Sequence, residues 1–171
     1  IVAHVGFGEP LCSSVADVLE QAGRAVGARL QRGGTYVCME GPQFSTKAES
    51  RLYRQWGVDV IGMTNMPEAK LAREAELCYA TVALATDYDC WHDTEEAVTV
   101  EAILATLHKN VALAKQLLKA ALPKLAPDRT CVCHQALRTA IVTAPDCISA
   151  TAKRRLNLLI APSVRTRKGK R

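Results

Sequence analysis

The sequence predicts an α/β domain, on three observations. Short apolar runs of strand length alternate with segments that carry helix-capping and helix-stop signals. The connections are short and punctuated by Gly and Pro. Three strand-like runs end in polar or acidic residues, where α/β folds place their ligand-binding loops.

Ser13 or Ser14 caps a first helix that runs to about Val26, with Gly23 and Gly27 as stop signals. "TYVCME" (35–40) is a short strand, and "EGPQFST" (40–46) is a loop that Gly-Pro holds out of helical conformation. Thr46-Lys-Ala-Glu49 has the form of a capping box, so a helix is expected from Lys47 to Trp56, ending at Gly57. "VDVIGMT" (58–64) is a second strand. Asn65 precedes a helix with Pro67 in its first turn, ending near Glu76. "CYATVALAT" (78–86), apolar almost throughout, is expected to be a third strand covered on both faces.

Val100, Ile103, Leu104, Leu107, Val111, Ala114 and Leu118 recur at helical spacing. They mark a helix of about five or six turns, started by Asp93-x-x-Glu96 or Thr94 and stopped by Pro123. A further helical region is expected from about Gln135 to Ile160, broken near Pro145. The organisation is one α/β unit over 1–127, a divergent helical region over 128–162 and a basic tail over 163–171.

The net charge is +5, and the five basic residues of Arg165–Arg171 account for all of it. Such a run reads as a solvated tail rather than a nucleic-acid contact, and 5% aromatics offer little surface for stacking bases. With no signal peptide or spanning segment and seven scattered cysteines, a reducing cytoplasm is expected, without membrane or nucleic-acid partners. Cys131-Val-Cys133 with His134 has the look of a metal or redox pair. A second ligand pair at zinc spacing is missing, so coincidence is the preferred reading and no metal or cofactor is expected. The chain opens on Ile-Val-Ala-His rather than Met, which suggests a start inside a longer protein.

The acid pair of "ATDYDCW" (85–91) admits several uses. Together "GTYVCMEGPQFSTKAES", "DVIGMTNMPEAKLAREAELCYA" and "ATDYDCW…EEAV" resemble the 5'-methylthioadenosine phosphorylases, of the trimeric purine nucleoside phosphorylase group. The resemblance runs from about His4 to Leu122 and implies a purine nucleoside phosphorylase-like mixed sheet flanked by helices, incomplete at its amino terminus. It implies phosphorolysis of S-methyl-5'-thioadenosine to adenine and 5-methylthioribose-1-phosphate, with phosphate as co-substrate, in a homotrimer.

Residue by residue, Phe44 would pack on the purine and Met63 against the ribose, while Thr64 would hold phosphate. Ser45 lies where the oxopurine-specific relatives carry a Glu. Asp87 and Asp89 would face the adenine edge as catalytic acids, with Tyr88 between them. Val100, Ile103 and Leu104 would line the methylthio pocket, Val100 also setting specificity. His4, in "HVGFGEPLC", would reach a neighbour's pocket. The family's glycine-rich phosphate loop and Arg-His phosphate ligands have no counterpart in these residues, so the chain alone is expected to be inactive.

Each position also has a plain structural use. Val100, Ile103 and Leu104 serve as helix core, Phe44 as an anchor, Met63 as strand packing and Thr64 or Asn65 as a cap. For Tyr88 and Trp91 burial is the expectation. Three other functions compete: a phosphorylase for 6-oxopurine nucleosides, disfavoured by Asp87 and Ser45; a metal module using Asp87, Asp89 and His92; and a non-catalytic assembly remnant.

Overall fold

The computed structural model describes residues 1–92, 100–125 and 131–168, with the side chains at 100, 102, 103 and 165–168 outside that description. Two compact units interleave along the chain. A central unit comprises residues 16–66 and 81–126, and a terminal unit comprises 1–15, 67–80 and 127–171.

The central unit holds most of helix α1 (Ser13–Ala25), strand β1 (Tyr36–Cys38), helix α2 (Lys47–Gln55), strand β2 (Val60–Gly62) and helix α4 (Val100–Ala121). β1 and β2 pair in parallel, with Tyr36, Val37 and Cys38 opposite Val60, Ile61 and Gly62. A parallel pair needs a crossover, and α2 supplies it. The expected capping box is formed: the Glu49 N–H donates to Thr46 Oγ1 at 3.2 Å, and the Thr46 N–H donates to Glu49 Oε2 at 2.7 Å. Those Thr46 donors hold the Glu49 carboxyl below its ordinary value of 4.5. Gly57 ends the turn with a φ of 75°, a conformation that costs glycine nothing.

Gly23 is a correction. It lies inside α1 rather than stopping it, and an added Cβ would sit 2.0 Å from Leu30 Cδ1 and 3.5 Å from Leu117 Cδ1. Its role is close approach of α1 to the next loop and to α4, and Gly27, with a φ of 70°, follows the end of the helix.

The third strand is also corrected. Residues 78–86 form no strand, although their composition suits one. A strand exists only as a rung in a ladder, and the ladder among the described residues consists of β1 and β2 alone. The long helix is present, and Leu117 and Ala121 near its end are 2% exposed, whereas Leu104, Leu107, Val111 and Leu118 of the predicted stripe remain exposed. The expected start at 93–96 lies outside the described residues.

The terminal unit holds most of helix α3 (Asn65–Glu74), then helices α5 (Ala150–Arg155) and α6 (Asn157–Lys168). Ala3 and Ile141 form an antiparallel bridge. Ile141, Ile148 and Ile160 make its buried cluster, with Ala152, Leu156, Leu159 and Val164 packed around it. The helical region expected from Gln135 is instead a 3-10 turn (Val132–Gln135), a second at Pro145–Cys147, and then two helices. Pro145 opens the second turn and Ser149 caps α5, accepting from the Ala152 N–H at 3.1 Å, so helix starts only where a cap is available.

Candidate functional site

The three loaded loops of the sequence meet within the central unit. Gly41, in "EGPQFS", has a φ of 70°, and a Cβ there would lie 3.0 Å from Met63 Sδ of "GMTNMP". Cys90 Sγ of "ATDYDCW" donates to the Ser45 carbonyl at 3.5 Å, and Ser45 Oγ donates to Met39 Sδ at 3.6 Å. Thr81 Oγ1 donates to Asn65 Oδ1 at 2.5 Å, and Asn110 Nδ2 of α4 donates to the Ala85 carbonyl at 2.7 Å. Segment 81–92 is thus held by side chains even though it joins no sheet.

On this frame Asp87 is exposed and Asp89 half-buried. Asp87 Oδ2 accepts from Thr86 Oγ1 at 2.7 Å, and Asp89 Oδ1 accepts from the Cys90 N–H at 2.8 Å. Each carboxylate therefore has one donor and spare acceptor capacity. Phe44 is 85% exposed, so it is no core anchor. Met63 is half-buried, and Thr64 is exposed directly before the amino terminus of α3. A helix amino terminus suits an anion. Leu104 is exposed near the start of α4, while the Val100 and Ile103 side chains lie outside the described residues. His4, in the terminal unit, is exposed, and its N–H donates to the Ala140 carbonyl at 2.9 Å.

Tyr88 was expected to be buried and is exposed. Its ring stacks on His92 with centroids 5.0 Å apart, and Trp91 meets both rings edge-on. The Arg54 guanidinium lies 3.5 Å above the Trp91 ring. Arg54, Thr81 and Asn110 are positioning residues that no motif announced, because their partners are far away in sequence.

The ligand atoms of Asp87, Asp89 and His92 do not converge on one point; among the described residues the group whose ligand atoms do is Cys12, Cys78, Cys131 and Cys133. The sequence left Cys131 and Cys133 to coincidence; in the structure their Sγ atoms lie beside those of Cys12 and Cys78. Burial pushes Cys78 up to about 12 and Cys133 to about 11. Burial acts on Cys131 in the same direction, but the Cys133 N–H and the neighbouring thiols outweigh it and bring Cys131 down to about 6. A shallow cleft in the terminal unit, lined by Gly6, Arg73, Gln135 and Arg138 among others, contains none of the predicted site residues.

The Phosphorylase superfamily model matches residues 2–123. The S-methyl-5'-thioadenosine phosphorylase of Koribacter versatilis is 59% identical over 160 residues, covering 94% of this chain and 55% of that protein. The protein of the same name from Geobacter sulfurreducens is 53% identical over 164 residues, with 96% and 57% covered. Alignments of that length reach well past Pro127, into the region where the sequence showed no family resemblance. Among solved structures, a methylthioadenosine phosphorylase from an antarctic soil metagenomic library superposes with a TM-score of 0.84 at 49% identity, covering 92% of this chain and 56% of that one. The Schistosoma mansoni methylthioadenosine phosphorylase in complex with adenine gives 0.70 at 31% identity, covering 80% and 53%. The chain spans about half the length of the curated relatives it matches.

Proposed function

The chain belongs to the phosphorylase superfamily, and from that premise we propose that it carries the base-reading half of a site for phosphorolysis of S-methyl-5'-thioadenosine. The observation that supports this most is the meeting of the Gly41–Ser45, Met63–Asn65 and Asp87–Cys90 segments, in a chain 59% identical to a protein of that activity.

Adenine presents a donor at its exocyclic amine and an acceptor at N7. An ionised carboxylate accepts from the amine, and a protonated one donates to N7. Asp87 is assigned the proton for N7, with Asp89 supporting it and the amine. As phosphate attacks the anomeric carbon from the opposite face, the bond to the purine breaks. Its electron pair passes to the base, and the proton from Asp87 neutralises it. Thr64 with the amino terminus of α3 holds phosphate, Met63 lies against the ribose, and Phe44 stacks on the purine. Val100, Ile103 and Leu104 wall the methylthio group. Ser45 and Asp87 favour a 6-amino base, because a 6-oxopurine would leave a buried acceptor facing an acceptor, at a cost of about 1–3 kcal/mol.

Exposed Asp87 and Phe44 need further protein to close over them, and the assembly proposed is a homotrimer in which His4 reaches a neighbour's pocket. No described helix is long and apolar enough to cross a membrane; a cytoplasmic location is proposed. Phosphate-dependent adenine release tests the assignment, measured on the 171-residue chain and on a hybrid in which it replaces the matching part of the Koribacter versatilis relative. The hybrid is expected to turn over S-methyl-5'-thioadenosine in preference to inosine, and the bare chain to be inactive. A folded hybrid without turnover, or one that prefers inosine, overturns the reading.

A further inference from the structure

Cys12, Cys78, Cys131 and Cys133 come from three separate stretches of the terminal unit, yet their four Sγ atoms lie within 4.8 Å of one another. Cys78 Sγ and Cys131 Sγ are 3.3 Å apart, a contact distance rather than the ~2.05 Å of a disulfide. Cys12 and Cys133 are 2% and 4% exposed, and Cys78 and Cys131 are half-buried. Four sulfurs around a tetrahedral ion with bonds of about 2.3 Å lie about 3.8 Å apart, close to what is found.

The backbone around the thiols is tied down. The Cys12 N–H donates to the Tyr79 carbonyl at 2.7 Å, joining the stretches that carry Cys12 and Cys78. The Arg73 guanidinium donates to the Glu9 carbonyl, a second link between the same stretches. The Leu137 N–H donates to Glu76 Oε1 at 2.9 Å, joining the stretch after Cys133 to the end of α3. Glu76 has a φ of 56°, the one non-glycine residue in the left-handed region among those described, and it turns the chain out of α3 two residues before Cys78. A left-handed non-glycine residue is disfavoured and persists where the surroundings demand that turn.

We propose that Cys12, Cys78, Cys131 and Cys133 form a closed structural site for one thiophilic divalent cation, zinc by its chemistry. All-sulfur tetrahedral sets select zinc or iron among common metals, and zinc asks for no redox partner. Four protein ligands leave no open position, so the ion cross-links and takes no part in phosphorolysis. Binding takes all four cysteines as thiolates, releases to solvent the protons that the thiols still carry and leaves the metal's oxidation state unchanged: M2+ + 4 RS− gives [M(SR)4]2−. The ion would clamp the segment before α1, the exit of α3 and the 3-10 turn at Val132–Gln135. This is independent of the catalytic proposal.

The test is metal content of the 171-residue chain, purified under reducing conditions with zinc supplied and then dialysed. One zinc per chain is expected, retained by Cys38→Ser and Cys90→Ser and lost from Cys131→Ser/Cys133→Ser. Because the double variant can fail by misfolding, wild-type chain stripped by chelator is titrated with cobalt. Thiolate-to-cobalt charge transfer and tetrahedral d–d bands should saturate at one equivalent, with a melting temperature raised by the ion. Metal no higher than in the double variant, or cobalt spectra without thiolate bands, overturns the site. Stoichiometric iron in place of zinc overturns the choice of ion, and disulfide-linked cysteines in the freshly reduced chain overturn the proposal entirely.

Discussion

Asp87 and Asp89 differ in exposure although they are two residues apart: one faces solvent and the other is half-covered. Hydrogen bonds from Thr86 Oγ1 and the Cys90 N–H orient them without using up their acceptors. In the hybrid enzyme Asp87→Asn is expected to lower turnover of S-methyl-5'-thioadenosine by about 100-fold or more, the scale of a lost general acid. Unchanged kinetics would remove Asp87 from the chemistry. Gly41 belongs at the same scale. Its positive φ and its closeness to Met63 exclude a side chain. Gly41→Ala should destabilise the chain by about 1 kcal/mol or more, read by urea denaturation. The acids and the loop were legible as residues. The hydrogen bonds from Asn110 to Ala85 and from Thr81 to Asn65 were not, since neither pair is adjacent in sequence.

At the scale of elements, local chemistry was a good guide wherever a segment could satisfy its own backbone. The capping box of α2, the Pro in the first turn of α3 and the stop at Pro123 all lie where the sequence put them. The Glu49 carboxyl is held down by Thr46, so its contribution is present above its unfolded value. It is lost as pH falls through the lowered folded value, below 4.5. The helical signal of α2 should therefore weaken on acidification through that range, and Glu49→Gln should flatten the profile measured by circular dichroism. An unaltered profile in that variant would exclude Glu49 as the titrating group. Thr46→Ala is expected to cost about 1 kcal/mol. The strand expected at 78–86 failed because apolar composition specifies burial, not a partner. The helix expected from Gln135 failed because it lacked a cap until Ser149.

At the scale of the molecule, several large apolar side chains are exposed. Phe44, Trp56 and Leu104 in the central unit and Leu71, Val132 and Leu158 in the terminal unit all face solvent. The trimer proposed above would give such side chains a surface to cover them. The 171-residue chain should self-associate, and light scattering on a sizing column should give a mass above the 18.5 kDa of one chain. A clean monomer at micromolar concentration would count against the proposed trimer.

The sequence by itself determined the family, the first four helices and, of three expected strands, the two that form. Those features depend on neighbours within a few residues or on motifs long enough to be specific. Only the tertiary structure decided which loops meet, which apolar faces find cover, and that four cysteines from three stretches share one point. Such facts rest on contacts between residues far apart in the chain, where spacing carries no signal and packing alone brings the atoms together.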